Sequence, residues 1–115
     1  MPAPVTPLSK ARRAGDFLFV SGQLSLREGA IVGDDVGEQT DIVIDAIVEQ
    51  LEAHGAALDA VVKTSVWLTR ADDFVAFNTA YARHFNEPYP ARSTVISDLA
   101  LPGALVEIDA IAHLG

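Results

Sequence analysis

The period of the apolar positions changes repeatedly along the chain, and each change marks an element. Asp16 to Leu26, DFLFVSGQLSL, is rich in aromatic and β-branched residues, and REGAIVG then turns at Gly29 into a short apolar run. This predicts a strand followed by a hairpin. From Val36 to His54, apolar positions at Val36, Thr40 or Val43, Ile47 and Leu51 recur at helical spacing, with Asp34 or Asp35 to cap the start and Gly55 just past the end. Ala60 to Thr69 alternates Val62, Thr64, Val66 and Leu68 against Lys63, Ser65, Trp67 and Thr69, the period of a strand. From Asp72, a suitable N-cap, Phe74, Phe77, Tyr81 and Phe85 form a second helical stripe, which Pro88 and Pro90 bring to an end near Asn86. ARSTVIS and GALVEIDAIAHL then read as two strands separated by DLALPG. The order ββ, α, β, α, ββ predicts an α+β fold with helices on one sheet face, in one domain spanning residues 1–115.

Strand alternation also assigns faces. Val106, Ile108, Ala110 and Ala112 share the side suited to packing under helices, and Leu105, Glu107, Asp109 and Ile111 share the other. Arg92, Thr94 and Ile96 share a face opposite Ala91, Ser93 and Val95. A charged strand face has two readings. If it is solvated, Arg92 and Glu107 form a surface pair contributing about 0–1 kcal/mol. If it is covered by another subunit, the guanidinium needs a carboxylate, either Glu107 or a ligand's, because an unpaired buried charge costs several kcal/mol. Arginine suits the latter, since its planar fork donates two parallel hydrogen bonds to a carboxylate.

Composition narrows the choice. Half of the 115 residues are apolar, a surplus that points to a covered surface and hence an oligomer. The formal charge of -8 excludes the basic footprint of nucleic-acid and anionic-membrane binders. Only Lys10, Arg12 and Arg13 cluster, and they read as a solvated end after the proline-punctuated lead-in of Val5 to Pro7. With no cysteine there is neither a disulfide framework nor thiolate chemistry. No run is long and apolar enough for a membrane span, and Met1 to Lys10 lacks the pattern of a secretory signal, so a cytoplasmic location is expected. His54, His84 and His113 have no metal-ligand spacing, so no metal is expected. Trp67 reads as a packing or interface residue, and no phosphate-binding loop or GxSxG elbow is present.

RAGDFLFVSGQLSL, VVKTSVWLTRADDFVAFNTAYARHF, PARSTV and LPGALVEIDAIA together resemble the reactive intermediate deaminase (RidA/YjgF) family, block by block and in the same order. The resemblance implies a chorismate-mutase-like subunit, a mixed β-sheet with two helices on one face, assembled as a homotrimer with clefts between subunits. It implies cofactor-free hydrolysis of enamine and imine intermediates such as 2-aminoacrylate to a 2-keto acid and ammonia, so the implied partner is a small 2-imino or 2-keto acid. By position, Arg92 matches the family's substrate-carboxylate arginine and Glu107 the acidic residue that positions or activates water. Asn78 and Phe74 match cleft-lining residues, and Ser21 and Gly22 its backbone-lined floor. Two further substrate-binding positions depart from the pattern: Leu8, which makes the pocket more apolar, stands where many members have a tyrosine, and Thr94, whose backbone can still bind, where a cysteine is frequent. The loss of the phenol at Leu8 leaves open a second reading, a trimeric small-carboxylate binding or interaction module with little turnover.

Overall fold

Leu18 and Val20 fold into a strand because alternate positions meet different surroundings. In the computed structural model, which describes residues 6–115, both are buried while Phe17 and Phe19 are exposed on the other side. This strand, β2 (Phe17–Gln23), pairs antiparallel with β1 (Ala11–Ala14). The sequence did not announce β1, because Ala-Arg-Arg-Ala has no apolar alternation; Arg12 and Arg13 are exposed, as a solvated reading expects, but on an edge strand. Of the lead-in before it, Val5 lies outside the described residues. The hairpin expected at Gly29 is a separate ribbon of β3 (Leu26–Arg27) and β4 (Ala30–Ile31), turning through Glu28 and Gly29 at φ 51° and 81°. β2 passes a register shift between Val20 and Gln23, pairs once more at Gln23 with Ile108, and ends there, before Leu26.

Helix α1 (Val36–Ala53) starts where the acidic cap predicts. The Glu38 N–H donates to Asp35 Oδ1 at 2.8 Å, and Glu38 Oε2 accepts from the Asp34 N–H at 2.6 Å, a reciprocal cap that satisfies otherwise orphaned donors. Val36, Thr40, Val43, Ile47 and Leu51 are buried, as the stripe requires. In β5 (Val61–Leu68) the expected positions Thr64, Val66 and Leu68 are buried, but a register shift between Val61 and Lys63 turns Val62 outward and buries Val61 instead. A 3-10 turn (Ala71–Asp73) leads into α2 (Phe74–Ala82), which stops at Arg83, short of Asn86. Phe77, Tyr81 and Phe85 keep the buried stripe, whereas Phe74 is 42% exposed.

β6 (Ala91–Ile96) and β7 (Val106–His113) complete a five-stranded mixed sheet in the order β1-β2-β7-β5-β6, with β5 and β6 parallel and the other neighbours antiparallel. A parallel pair needs a crossover, and α2 supplies it. The two helices pack on one face over Leu18, Val20, Val66, Leu68, Val106, Ile108, Ala110 and Ala112. Among the described residues no element covers the opposite face, on which Phe17, Phe19 and Val95 are exposed. Among the described residues, no helix is long and apolar enough to cross a membrane.

One buried amide fixes the entry to β7. Gln39, inside α1, donates through Nε2 to the Gly33 carbonyl at 3.2 Å and the Gly103 carbonyl at 3.0 Å, and its Oε1 accepts from the Leu105 N–H at 2.8 Å. Gly33 has φ +100°, and a Cβ there would lie 2.9 Å from Gln39 Cγ, so the close approach requires glycine. Because each buried polar group left unpaired costs about 1–3 kcal/mol, Gln39→Leu should destabilise the fold by at least about 2 kcal/mol in urea unfolding. A loss below about 0.5 kcal/mol would show that the tether is dispensable.

Candidate active site

β6 carries Arg92 opposite Thr64 of β5, and Thr64 is buried beneath α2, so the guanidinium lies on the helix face. There one Nη donates to Asn78 Oδ1 at 2.8 Å. The guanidinium carbon lies 5.0 Å from the ring centre of Tyr81, 5.2 Å from Phe77 and 5.9 Å from Phe74. Aromatic faces attract a weakly hydrated planar cation, which orients Arg92 without neutralising it. Tyr81 is itself anchored by a 2.9 Å hydrogen bond between its hydroxyl and Thr64 Oγ1, and burial pushes its phenol pKa up. A guanidinium has five N–H donors, so the bond to Asn78 leaves a fork for an incoming anion. Beside it is a cleft of about 290 Å³ lined by Asn78, Tyr81, Ala82, Tyr89, Pro90 and Arg92.

Glu107 lies opposite Trp67 of β5. Thr64 and Trp67 are an odd number of residues apart on that strand, so Arg92 and Glu107 project from opposite faces of the sheet. The surface ion pair left open by the sequence therefore does not form within the chain. Glu107 rests instead against Gly22, where the β2 register shift brings the backbone close. A Cβ at position 22 would lie 2.6 Å from Glu107 Oε2. Beside Gly22, Ser21 donates its hydroxyl to the Ser9 carbonyl and its N–H to the Lys10 carbonyl, which makes it a strut. Leu8, one residue before Ser9, is exposed. Thr94 sits half-buried two residues beyond Arg92 on the helix face, opposite Val66.

The site residues thus fall into two groups, Arg92 with Asn78 and Phe74, and Glu107 with Gly22 and Ser21. The electrostatics of the groups differ. Burial pushes the Glu107 carboxyl above the usual carboxylate range, and the neighbouring Asp109 carboxylate adds to the same effect. Tyr81, Tyr89 and Asp109 were not singled out as site residues by sequence. Tyr81 was visible only as part of the core stripe, and Tyr89 only as a residue between two prolines. The histidines are elsewhere: His84 Nε2 bonds Asp41 Oδ1 at 2.7 Å, His54 Nδ1 bonds the Gln50 carbonyl, and His113 meets Phe17 edge-on.

The family model described as Endoribonuclease L-PSP matches residues 1–114. A RutC family protein of Pyrococcus horikoshii is 40% identical over 97% of this chain and 90% of its own length. The chloroplastic Reactive Intermediate Deaminase A of Arabidopsis thaliana is 41% identical over 98% of this chain and 62% of its own. Among solved structures, RidA from an Antarctic Psychrobacter superposes with a TM-score of 0.82 at 35% identity, covering 97% of this chain and 92% of that one.

The Glu107 shift has a thermodynamic signature. A carboxyl whose folded pKa exceeds its unfolded value binds a proton on folding, so its contribution to stability falls as pH rises from the unfolded value near 4.5 through the raised one. Glu107→Gln removes that loss. The melting temperature of the variant relative to the parent should therefore rise between pH 4 and pH 7, and a constant difference across that range would contradict the assignment.

Proposed function

The chain belongs to the Endoribonuclease L-PSP family, which includes the RidA/YjgF proteins, and from that membership we propose that it hydrolyses small 2-imino and enamine acids to 2-keto acids and ammonia. The observation that carries this reading is a guanidinium held by three aromatic rings and one amide, with donors to spare, beside a cleft sized for a small carboxylate. Arg92 binds the substrate carboxylate as a fork, Asn78 fixes the fork, and Phe74 supplies an apolar wall. Glu107 serves as the proton carrier.

Because one sheet cannot present both groups to the same cleft, the complete site joins Arg92 of one copy to Glu107 of the next. Arg92 is on the edge strand β6, within reach of a neighbour, and Glu107 is on the face bearing Phe17, Phe19 and Val95. Burying that face in a closed homotrimer, with clefts between subunits, accounts for the apolar surplus. The chemistry then balances without a cofactor. Glu107 protonates the imine nitrogen, water adds to the carbon, and the carboxylate takes the proton that water sheds. A second donation to nitrogen releases ammonia as the carbonyl forms, and the carboxyl recovers its proton from that carbonyl oxygen. Holding both reactants supplies the remainder of the acceleration. The endoribonuclease in the family's description fits this chain poorly, since a formal charge of -8 repels phosphate.

Leu8, exposed and without a hydroxyl, favours a second reading in which the protein binds 2-keto acids but turns over little. Adding the protein to a dehydratase that generates 2-aminoacrylate separates the two. Faster keto-acid release supports the enzyme, and pyruvate binding without acceleration supports the binder. Arg92→Ala and Glu107→Gln should each lower the acceleration by about a hundredfold or more. Co-refolding the two inactive variants in equal amounts should restore about a quarter of the sites, because a heterologous interface can combine one intact half from each. No recovery from mixed assemblies would place the site within one copy.

A further inference from the structure

The carbon that reacts in a 2-imino acid bears a carboxylate, a nitrogen and a side chain. In the site proposed above, Arg92 takes the carboxylate and Glu107 of the next copy faces the nitrogen, so the side chain must run along the rest of the cleft. Apart from Arg92 and Asn78, that cleft is lined by Tyr81, Ala82, Tyr89 and Pro90, none of which carries a charge. Tyr81 is a fixed wall. Its hydroxyl is bonded to Thr64, its ring stacks on Phe85 with centres 4.5 Å apart, and the residue is only 5% exposed. Tyr89 differs, being 53% exposed on a backbone that the following Pro90 confines to extended conformations. A tyrosine ring has two torsions to fix, so a ligand that covers it removes apolar surface from water at little cost in order.

Size agrees with that chemistry. At the roughly 30 Å³ that a molecule occupies in liquid water, the cleft of about 290 Å³ holds roughly nine or ten non-hydrogen atoms, and 2-aminoacrylate leaves a good part of it empty. We propose that Tyr89 is a specificity-determining residue, and that the cleft takes 2-imino and 2-keto acids with a branched apolar side chain in preference to 2-aminoacrylate or to acids with a second carboxylate. The acid that deamination of leucine gives has the right dimensions. An acidic side chain of similar length finds no free cation there, because the first carboxylate fills the Arg92 fork, and a stranded charge is costly. The inference rests on the hydrolytic reading for the placement of the reacting carbon, but the binding of stable keto acids measures it without turnover.

Calorimetric dissociation constants of the parent for 4-methyl-2-oxopentanoate, pyruvate and 2-oxoglutarate test this. The branched acid should bind about tenfold or more tightly than either of the others, the scale on which apolar pockets discriminate added methylenes. Tyr89→Ala should cut its advantage over pyruvate to about twofold, chiefly by weakening the branched acid. Tyr89→Phe should keep the advantage, since the ring rather than the hydroxyl forms the wall. Position 89 lies at the surface, so both variants should melt with the parent. A parent that binds the three acids alike, or a preference that survives Tyr89→Ala, overturns the inference even if the protein hydrolyses imines. The expected preference in a protein that does not accelerate keto-acid release upholds the inference and sinks the hydrolytic reading. Binding of none of the three overturns both.

Discussion

Side chains of a β-strand alternate between two sides, and that constraint governs this molecule more than any single contact. Arg92 is in register with Thr64 and Glu107 with Trp67, positions of opposite parity on the shared neighbour β5. No rotamer can bring the two charges together through the sheet. Each has consequently acquired its own support on its own side. The crossover helix provides aromatic rings and an amide for the cation, and an irregularity in β2 provides a glycine backbone for the acid.

The two supports are unlike in kind. Arg92 is surrounded by partners that hold it as a cation while leaving donors unused, so its orientation is set before any ligand arrives. Glu107 is packed closely but, among the described residues, served by no donor, and Asp109 two residues along the strand adds a like charge. A folded chain optimised only for stability would not leave a half-buried carboxyl in that position, and perturbed titration of this kind concentrates at functional sites.

Much of this was legible in the sequence where packing imposes a clear period. Val106, Ile108, Ala110 and Ala112 are all buried as their alternation indicates, and the α1 stripe lies under its helix as predicted. The failures have physical causes. β1 is an edge strand held by backbone pairing, which leaves no apolar signature. Val62 faces outward because of a register shift, which depends on the partner strand rather than on local residues. The side on which Arg92 lies was undecidable locally, since Arg92, Thr94 and Ile96 are no more apolar than Ala91, Ser93 and Val95, and only pairing with Thr64 resolves it. Family resemblance supplied the identities of the site residues, whereas their division between two faces came from the sheet register.

Gln39 illustrates how far such demands extend from the chemistry. Its amide must give two hydrogen bonds to carbonyls and accept one from an N–H. Glutamate has nearly the same shape, but as an anion it would direct lone pairs at the Gly33 and Gly103 carbonyls, and a shorter amide such as asparagine would not span the same distance. Few replacements satisfy a two-way polarity requirement inside a helix. Evolutionary drift at this site should therefore be confined almost to one residue type, and an otherwise silent chemical ageing event, loss of the amide nitrogen, would loosen the root of the strand that bears the acid.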